Sequence, residues 1–509
     1  MDDWTEGYIA DVDYPQGYYR ELTPPFLAFA LLAKGIRPPN PSGKLRYCEL
    51  GAGHGFTCNV VAATHPDAEV WATDFNPSFA ATARRLADSA STPNLKVFDS
   101  SFEEFAALDL PSFDVIVLHG IYSWVMAEHR KSIVDFIRDR LAFGGVVYVS
   151  YNCLPGWAPI LPLRRLLNEM AQRATGTTDE RIEKALVEVE GLVALGASYF
   201  DANASARAQL DTIRQMPREY VAHEYFNRIW TPLYHLDVSR QMHQAKLTFA
   251  ASADLAHHVD RLCLAEEQQK RIAGIDDPAF RETVRDVFLN QQFRKDIYVR
   301  GPERLPASER RELLRATRFA LVVPRNLIEA AAEYPQGRYS LDSGPAAEVL
   351  DALAQGPRTL AEMVSATDAA DFERKVEALV ILVGTGRVEV ALPATGERDR
   401  AERARRLNRA ILERARHGDE LQFLVSPVLG GAVRVDRMHR LFLLGEVQGH
   451  KDTASFAYAI LVEEAAAKKA QGKATRPPSP LGVMMIAQKF EQEQRPVLAQ
   501  HGIVEPISA

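Results

Sequence analysis

The stretch Tyr47–Phe56, with the sequence YCELGAGHGF, decides the fold of this 509-residue chain. Its apolar start predicts the end of a buried strand, its glycines a sharp turn, and the residues after them a helix that runs to about Thr64. Gly51, Gly53 and Gly55 allow such a turn and leave no Cβ where a flat ligand must lie against the main chain. The start of the helix offers unpaired N–H groups. The stretch therefore predicts a ligand-binding turn between a strand and a helix.

Two features separate this turn from the loop that binds dinucleotides. Its spacing is G-x-G-x-G rather than G-x-G-x-x-G, and Glu49 lies two residues before the first glycine. A turn that binds pyrophosphate has little use for a carboxylate there, whereas a positively charged cofactor is stabilised by one. A second predicted strand, Glu69–Thr73, ends at Asp74, a position suited to accept hydrogen bonds from both hydroxyls of a ribose.

The glycine turn, the acid before it and the acid at the next strand end together resemble the class I S-adenosylmethionine (SAM)-dependent methyltransferases. The resemblance implies that SAM is the cofactor and that Glu49, Gly51, Gly53, Gly55 and Asp74 surround it. A tight β-α turn of some other α/β fold is the alternative that a glycine turn alone leaves open.

The chain from Leu45 to about Asn152 alternates short apolar runs with helical patterns, which predicts a mostly parallel, Rossmann-like α/β sheet. The predicted strands are 45–50, 69–73, 94–98, 113–118 and 146–150, and the predicted helices between them include 77–89 and 130–141. Ligands of open α/β sheets collect at the carboxyl ends of the strands. The residues that we expect at this edge are Glu49 to Gly55, Asp74, Asp99, His119, Tyr151 and Asn152.

Two side chains at this edge have competing interpretations. Asp99, which is followed by Ser100, is placed to accept a hydrogen bond from the amino group of the cofactor's adenine. Its alternative role is a helix N-cap, because Glu103 and Glu104 begin a helical turn. His119 follows the fourth strand and could take a proton from an incoming amine or line the cofactor pocket. A structural histidine is the other interpretation.

Aromatic residues near the predicted cofactor site form three pairs, namely Tyr18/Tyr19, Tyr122/Trp124 and Tyr151/Trp157. A channel built from them would hold a lysine amine, because aromatic faces attract cations and a dry channel lowers the pKa of the amine. Methyl transfer from a sulfonium is an in-line displacement, which mainly needs alignment and a neutral nucleophile. The candidate catalytic residues are His119, Tyr122 and Tyr151, and Tyr18 and Tyr19 are candidates to contact the cofactor. Structural aromatics are the alternative.

The remaining sequence predicts further domains around this one. Residues 1–44 are rich in aromatic and turn residues and form a lid or an N-terminal strap, and residues 45–158 form the SAM-binding domain. Residues 159–330 are mainly helical, with apolar spacing of three and four over ranges such as 251–264. Residues 331–509 contain three short helices, a glycine turn and a strand that outline a winged helix.

Composition and charge weigh against several classes of protein. The net charge of −7, the pI of about 6.1 and the nearly balanced charges within 371–382 oppose a nucleic-acid binder. The four cysteines lack a C-x-x-C pair and predict reduced thiols. The histidines lack the spacing of a metal site, so we expect no metal. The start has no signal-peptide pattern and no apolar run approaches about 18 residues, so we expect a cytoplasmic protein without membrane contact.

Longer segments resemble a narrower family, the bacterial methyltransferases that carry a methyltransferase regulatory domain. This group includes the rickettsial protein-lysine methyltransferases. The segments that carry the resemblance are Tyr18–Pro24, His119–Val125, Gly144–Asn152 with Pro155–Trp157, Tyr220–Tyr225 and Asn290–Asp296, and the tail is similar to the family's winged-helix region. The resemblance covers most of the chain. It implies a SAM-dependent methyltransferase of protein lysines. Our first hypothesis is that the acceptor is a protein side-chain amine and that the helical and winged modules hold it.

Two other functions stay open at this point. One is a small-molecule N- or O-methyltransferase, in which the additional modules act as a lid and as the interface of a homodimer. The other is a non-catalytic regulator in which SAM only sets the conformation. An open, acidic groove favours a protein acceptor, and a closed pocket favours a small molecule.

Overall fold

A seven-stranded sheet forms the centre of this computed structural model, which describes residues 9, 12, 16–39, 44–365, 368–470 and 477–505. Up to residue 152 helices and strands alternate along the chain: α1 Pro24–Ala33, β1 Arg46–Leu50, α2 Phe56–Thr64, β2 Glu69–Thr73, α3 Pro77–Ala90, β3 Leu95–Phe98, α4 Phe102–Ala106, β4 Phe113–Leu118, α5 Ala127–Arg140 and β5 Leu141–Asn152. All five predicted strands are present, and β2 and β4 have the predicted bounds. These strands are apolar on both faces because helices cover the sheet on both sides.

Two strands from further along the chain complete the sheet. The elements that follow β5 are α6 Leu161–Arg173, α7 Thr178–Ala194, α8 Ser198–Ala202, α9 Ala204–Gln215, α10 Arg218–Phe226, α11 His235–Gln244, β6 Leu247–Ser252, α12 Asp260–Cys263, α13 Glu266–Ala273, α14 Pro278–Leu289, β7 Phe293–Arg300 and α15 Ala307–Ala316. The strand order is β3-β2-β1-β4-β5-β7-β6. Neighbouring strands are parallel except at β7, which is antiparallel to both β5 and β6.

The prediction of a helix over 251–264 is wrong, and residues 159–330 are not a purely helical unit. The start of that range belongs to β6, and α12 covers only Asp260–Cys263. Short apolar runs fit a strand or a buried helix equally well, and here pairing with β7 decides for a strand. The helices α6, α7, α9 and α10 do share a core of their own, which contains Leu167, Leu186 and Leu210.

The last part of the chain adds small sheets and more helices. Its elements are β8 Arg318–Leu321, β9 Ala331–Tyr334, β10 Gly337–Ser340, α16 Gly344–Leu353, β11 Arg358–Thr359, α17 Leu360–Met363, α18 Ala369–Gly384, β12 Val388–Ala391, α19 Glu397–Ala415, β13 Phe423–Ser426, β14 Gly431–Arg434, α20 Arg437–Val447, α21 Thr453–Ala470, α22 Pro480–Lys489 and α23 Arg495–Gln500. The three predicted helices and the strand after the glycine turn are present. They adjoin an antiparallel sheet of order β11-β8-β12, whose middle strand precedes the first helix. The winged-helix classification stays a prediction.

This last part packs directly on the helix that starts at the glycine turn. Phe56 and Val60 of α2 and Leu86 of α3 share one buried core with Leu407 and Ile411 of α19. The C-terminal region thus supports the turn from behind. None of the helices in the described ranges is long and apolar enough to cross a membrane.

Candidate active site

The glycine turn has the left-handed backbone that its sequence requires. Gly51 and Gly53 have φ of 69° and 55°, a region that glycine adopts at little cost. A Cβ on Gly51 would overlap the side chain of Ile121, whereas one on Gly53 would have no heavy atom within 4 Å. Gly53 therefore borders open space, and the main chain there forms a cradle that a side chain would fill.

Asp74 ties this turn to the end of the neighbouring strand β2. The N–H groups of Gly51 and Ala52 donate to the carbonyl oxygen of Thr73, at 2.9 and 3.0 Å. Asp74 Oδ2 accepts from the N–H of Gly53 at 2.7 Å, and Oδ1 accepts from the N–H of Asn76 at 3.0 Å. Each carboxylate oxygen keeps a second lone pair for a ligand hydroxyl. Burial raises the pKa of Asp74 to about 6, although these hydrogen bonds oppose the rise.

Glu49 is a buried carboxylate without its full set of partners. Its residue is 5% exposed, and its Oε2 has no hydrogen-bond partner among the described residues. Burial, followed by the charge of Asp74, raises the pKa of Glu49 to about 8. Two acids held together away from water are costly unless a cation neutralises them. This pair therefore fits a positively charged ligand beside the turn.

A cavity of about 790 Å³ lies in front of the turn and is lined by acids. The carboxylates that line it are Glu49, Asp74, Asp99, Glu103, Glu104 and Glu224. Within the described ranges, neither a lysine nor an arginine lines it. Such a lining repels phosphate groups and attracts cations, and the volume lies within the range of about 300–1,000 Å³ that is usual for ligand sites.

Asp99 and Ser100 line this cavity at the end of β3, although part of their bonding capacity is used within the protein. Asp99 Oδ1 accepts from Arg84 Nη2 at 2.8 Å, and this bond lowers the pKa of Asp99. The carbonyl oxygen of Ser100 accepts from Thr73 Oγ1 at 2.8 Å. The alternative of Asp99 as an N-cap is wrong, because Ser101 caps α4.

His119 lines the cavity as a neutral ring. Burial lowers its pKa to about 3. Its ring stacks on Tyr19 with 3.7 Å between centroids, and its Nδ1 lies 2.9 Å from the hydroxyl oxygen of Tyr148. A histidine with so low a pKa is a weak proton acceptor, so the geometry favours a role in lining the pocket over that of a base.

The predicted catalytic residues Tyr122 and Tyr151 lie outside the cavity lining, and so does Tyr18. Tyr122 is fully buried and donates its hydroxyl to Gln241 Oε1. Tyr151 donates to Asp296 Oδ2 at 2.6 Å, because its side chain points toward Asp296 on the neighbouring strand β7 rather than into the cavity. Tyr18 packs between Phe56 and Phe423. We therefore do not retain these residues as parts of the site.

The other member of each predicted aromatic pair does line the cavity, namely Tyr19, Trp124 and Trp157. The structure also adds residues that the sequence did not single out as site residues. They are Phe75, Phe79 and Phe102 near the glycine turn, and Tyr220, Glu224, Asn227 and Phe293 from the later part of the chain. The segment around Tyr220 carries the resemblance to a regulatory domain, but no local pattern predicts that it forms a wall of this cavity.

In the described ranges, no group of three or more His, Cys, Asp or Glu side chains is arranged to bind a metal ion. All four cysteines are buried and outside any disulfide.

Comparison with known proteins places this site in a family. A family model for a methyltransferase domain matches residues 48–147, and one described as a predicted methyltransferase regulatory domain matches residues 217–300. An uncharacterized protein of Synechocystis, sll1526, is 38% identical over 98% of this chain and 99% of its own length. An uncharacterized protein of Rickettsia prowazekii, RP028, is 25% identical over 44% of this chain and 89% of its own.

The solved structure of PKMT2 from Rickettsia typhi has the same fold, with a TM-score of 0.67 at 18% identity, over 96% of this chain and 99% of that one. A second structure of that protein, in complex with AdoHcy, gives a TM-score of 0.66 at 17% identity, over 94% and 98% of the two chains. The matched methyltransferase domain contains the glycine turn and the acids Glu49 and Asp74. The chain belongs to the class I SAM-dependent methyltransferases that carry a methyltransferase regulatory domain.

Proposed function

We propose that this enzyme methylates a side-chain amine of a protein, with lysine as the acceptor. One observation carries the proposal: a single cavity joins the glycine turn to an aromatic wall and is lined by six carboxylates, with no lysine or arginine of the described residues among them. The sulfonium of SAM and an alkylammonium acceptor are both cations, and a cavity lined by carboxylates favours both.

The residues of the turn fit SAM as follows. The backbone at Gly51 and Gly53 lies against the cofactor, Asp74 accepts hydrogen bonds from the ribose hydroxyls, and Glu49 stabilises the positive charge. Asp99 and Ser100 lie where the adenine would be. When bound, SAM supplies a methyl group on a sulfonium, which a neutral amine can displace. The chain itself has to align the two reactants and exclude water.

Aromatic side chains form the acceptor side of the cavity. Tyr19, Trp124, Trp157, Tyr220 and Phe293 all line it. Their faces attract an ammonium. Contact with apolar rings in place of water lowers the pKa of the amine and so favours its reactive neutral form.

The later parts of the chain are assigned to holding the acceptor. We divide the protein into a strap over residues 1–44, a SAM-binding domain over 45–158, a regulatory domain over 159–330 and a winged-helix-like region over 331–509. The regulatory domain supplies β6 and β7 to the central sheet. The resemblance to the rickettsial protein-lysine methyltransferases, and a fold shared with R. typhi PKMT2 over 96% of the chain, support a protein acceptor.

Incubation of the purified enzyme and tritiated SAM with a cell lysate, separated by size afterwards, tests the proposal. We expect label in the protein fraction, on lysine after digestion and mass spectrometry, and none with the Asp74→Ala variant. Label confined to small molecules would replace the proposal with a small-molecule methyltransferase. Measurable SAM binding without any label would replace it with a SAM-dependent regulator.

A further inference from the structure

We infer that Glu224, on helix α10 of the regulatory domain, binds the acceptor's ammonium group and takes its proton. The inference rests on the proposed amine acceptor and adds to it the residue that recognises that acceptor. It also assigns the regulatory domain a direct part in the chemistry of the site.

Glu224 differs from four of the five other acids of the cavity in having no hydrogen-bond or ion-pair partner in the described part of the chain. Four of the others are held by the protein, because Asp74 accepts backbone N–H groups, Asp99 pairs with Arg84, Glu103 pairs with His129 and Glu104 caps α4. Glu49 lies at the glycine turn, where the cofactor binds. The carboxylate of Glu224 makes no hydrogen bond or ion pair with any residue in the described part of the chain.

The nearest cation, Arg164, is committed elsewhere. Its Nε donates to the carbonyl oxygen of Glu224 at 3.2 Å, and its Nη2 donates to that of Asn227 at 2.9 Å. Its guanidinium also lies 4.3 Å from the ring centre of Trp230. Burial raises the pKa of Glu224 to about 7, and Arg164 only partly opposes this. A carboxylate in this state is stabilised by a cation that enters the cavity.

The neighbours of Glu224 on the helix fix its position under the N-terminal strap. His223 Nε2 lies 2.9 Å from the carbonyl oxygen of Val12, and Asn227 Oδ1 accepts from the N–H of Ile9 at 2.8 Å. Trp157, Tyr220 and Phe293 line the cavity together with Glu224. Tyr220 lies one helical turn before Glu224, and burial together with the charge of Glu224 raises the pKa of Tyr220, so an ammonium that reaches this carboxylate lies near the Tyr220 ring.

The candidate bases that the sequence suggested are unsuitable. His119 has its pKa lowered to about 3 by burial, and Tyr122 and Tyr151 lie outside the lining. A proton passes from the ammonium nitrogen to a carboxylate oxygen of Glu224, which leaves a neutral amine and a neutral carboxylic acid. The nitrogen lone pair then forms the N–C bond while the methyl C–S bond breaks, and its electron pair stays on the sulfur.

The test compares Glu224→Gln with Glu219→Gln, a matched change on an exposed position of the same helix. The first measurement is tryptophan fluorescence of protein saturated with S-adenosylhomocysteine, titrated with n-butylammonium or with neutral 1-pentanol. We expect Glu224→Gln to weaken butylammonium binding about tenfold and to leave pentanol binding unchanged. Glu219→Gln should match the wild type with both probes.

The second measurement is the rate at which tritiated methyl groups enter the lysate proteins, together with SAM affinity by calorimetry. Glu224→Gln should slow transfer about a hundredfold with SAM affinity unchanged. Equal behaviour of the two variants in both measurements would overturn the inference, and so would equal loss of butylammonium and pentanol. Because the fluorescence titration needs no turnover, a wild-type enzyme that labels no protein would contradict the proposed function without deciding the role of Glu224.

Discussion

Two regions of this protein contain several carboxylates, and they differ in whether an arginine pairs with the buried ones. Behind the sheet edge, Arg294 is 2% exposed and bonds Asp296 at 2.9 Å, Asp286 at 2.6 Å and Glu282 at 3.1 Å. His235 Nδ1 and the Tyr151 hydroxyl also bond Asp296, at 2.9 and 2.6 Å. In the cavity, the carboxylates of Glu49 and Glu224 form no ion pair with any residue in the described part of the chain, although the charge of Arg164 acts on Glu224 from a greater distance.

The pKa values follow this difference in pairing. Burial by itself raises the pKa of Asp296, but the charge of Arg294 outweighs burial and lowers this pKa to about 2. The pKa of Glu282 is lowered in the same way. Asp286 is the exception, since burial outweighs Arg294 and raises its pKa to about 6. In the cavity, burial raises the pKa of Glu49 to about 8 and that of Glu224 to about 7, whereas the bond from Arg84 lowers the pKa of Asp99. The acids paired with Arg294 form a structural cluster, and the two acids without an ion pair, Glu49 and Glu224, mark the parts of the cavity that a cation would enter.

Removing Asp74 should have the largest effect on the ligand side of this comparison. Asp74→Ala deletes the acceptor for the ribose hydroxyls and the bond that holds the glycine turn, so SAM affinity should fall at least about a thousandfold. Isothermal titration calorimetry measures this loss, and Asp67→Ala, at an exposed position before β2, is the control. Unchanged affinity of Asp74→Ala would remove the cofactor site from this turn.

Removing Arg294 should have the largest effect on the structural side. Arg294→Met leaves buried acids without their cation and should lower the free energy of unfolding by about 3–5 kcal/mol. Urea denaturation followed by circular dichroism tests this, with Arg165→Met as the control because Arg165 is 79% exposed. A loss no larger than that of the control would break the comparison.

Neutralising Asp296 in the Arg294 cluster and Glu49 in the cavity should change the free energy of unfolding in opposite directions. Asp296→Asn should lower the free energy of unfolding by about 2–3 kcal/mol at pH 7, since the low pKa of Asp296 stabilises the fold at every pH above its unfolded value. Glu49→Gln should raise it by about 1–3 kcal/mol at pH 7, because a folded pKa above the unfolded value costs stability as pH rises. Glu49→Gln should also weaken SAM binding about tenfold. Losses of stability in both variants would contradict the distinction.

The pH dependence of SAM affinity gives the smallest predicted effect. A cation beside Glu49 lowers its pKa from about 8, so binding releases a proton, and affinity should rise with pH by no more than about tenfold in total until about pH 8 and then level off. Calorimetry at pH 6.5, 7.5 and 8.5 measures the rise. Titration of the cofactor itself affects wild type and Glu49→Gln equally, so a slope that persists in the variant would contradict this role of Glu49.

Local sequence predicted the parts of the fold and site that depend on near neighbours. The strand, glycine turn and helix around Tyr47–Phe56, and Asp74 at the end of the next strand, are where the pattern placed them. Such features follow from backbone sterics and from the period of apolar residues, and both are properties of short segments. The resemblance based on these segments also identified the methyltransferase family correctly.

Only the tertiary structure decided which distant residues share the cavity and which way each side chain points. β7 joins the sheet because it pairs with β5 across about 150 residues of sequence, and β6 joins it because it pairs with β7. Tyr151 is directed to the Arg294 cluster, and Glu224, from a helix of the regulatory domain, is directed to the cavity. The sequence shows how many acidic residues the chain has. Whether a buried acid forms an ion pair with an arginine depends on long-range packing, and this packing distinguishes the Arg294 cluster from the cavity.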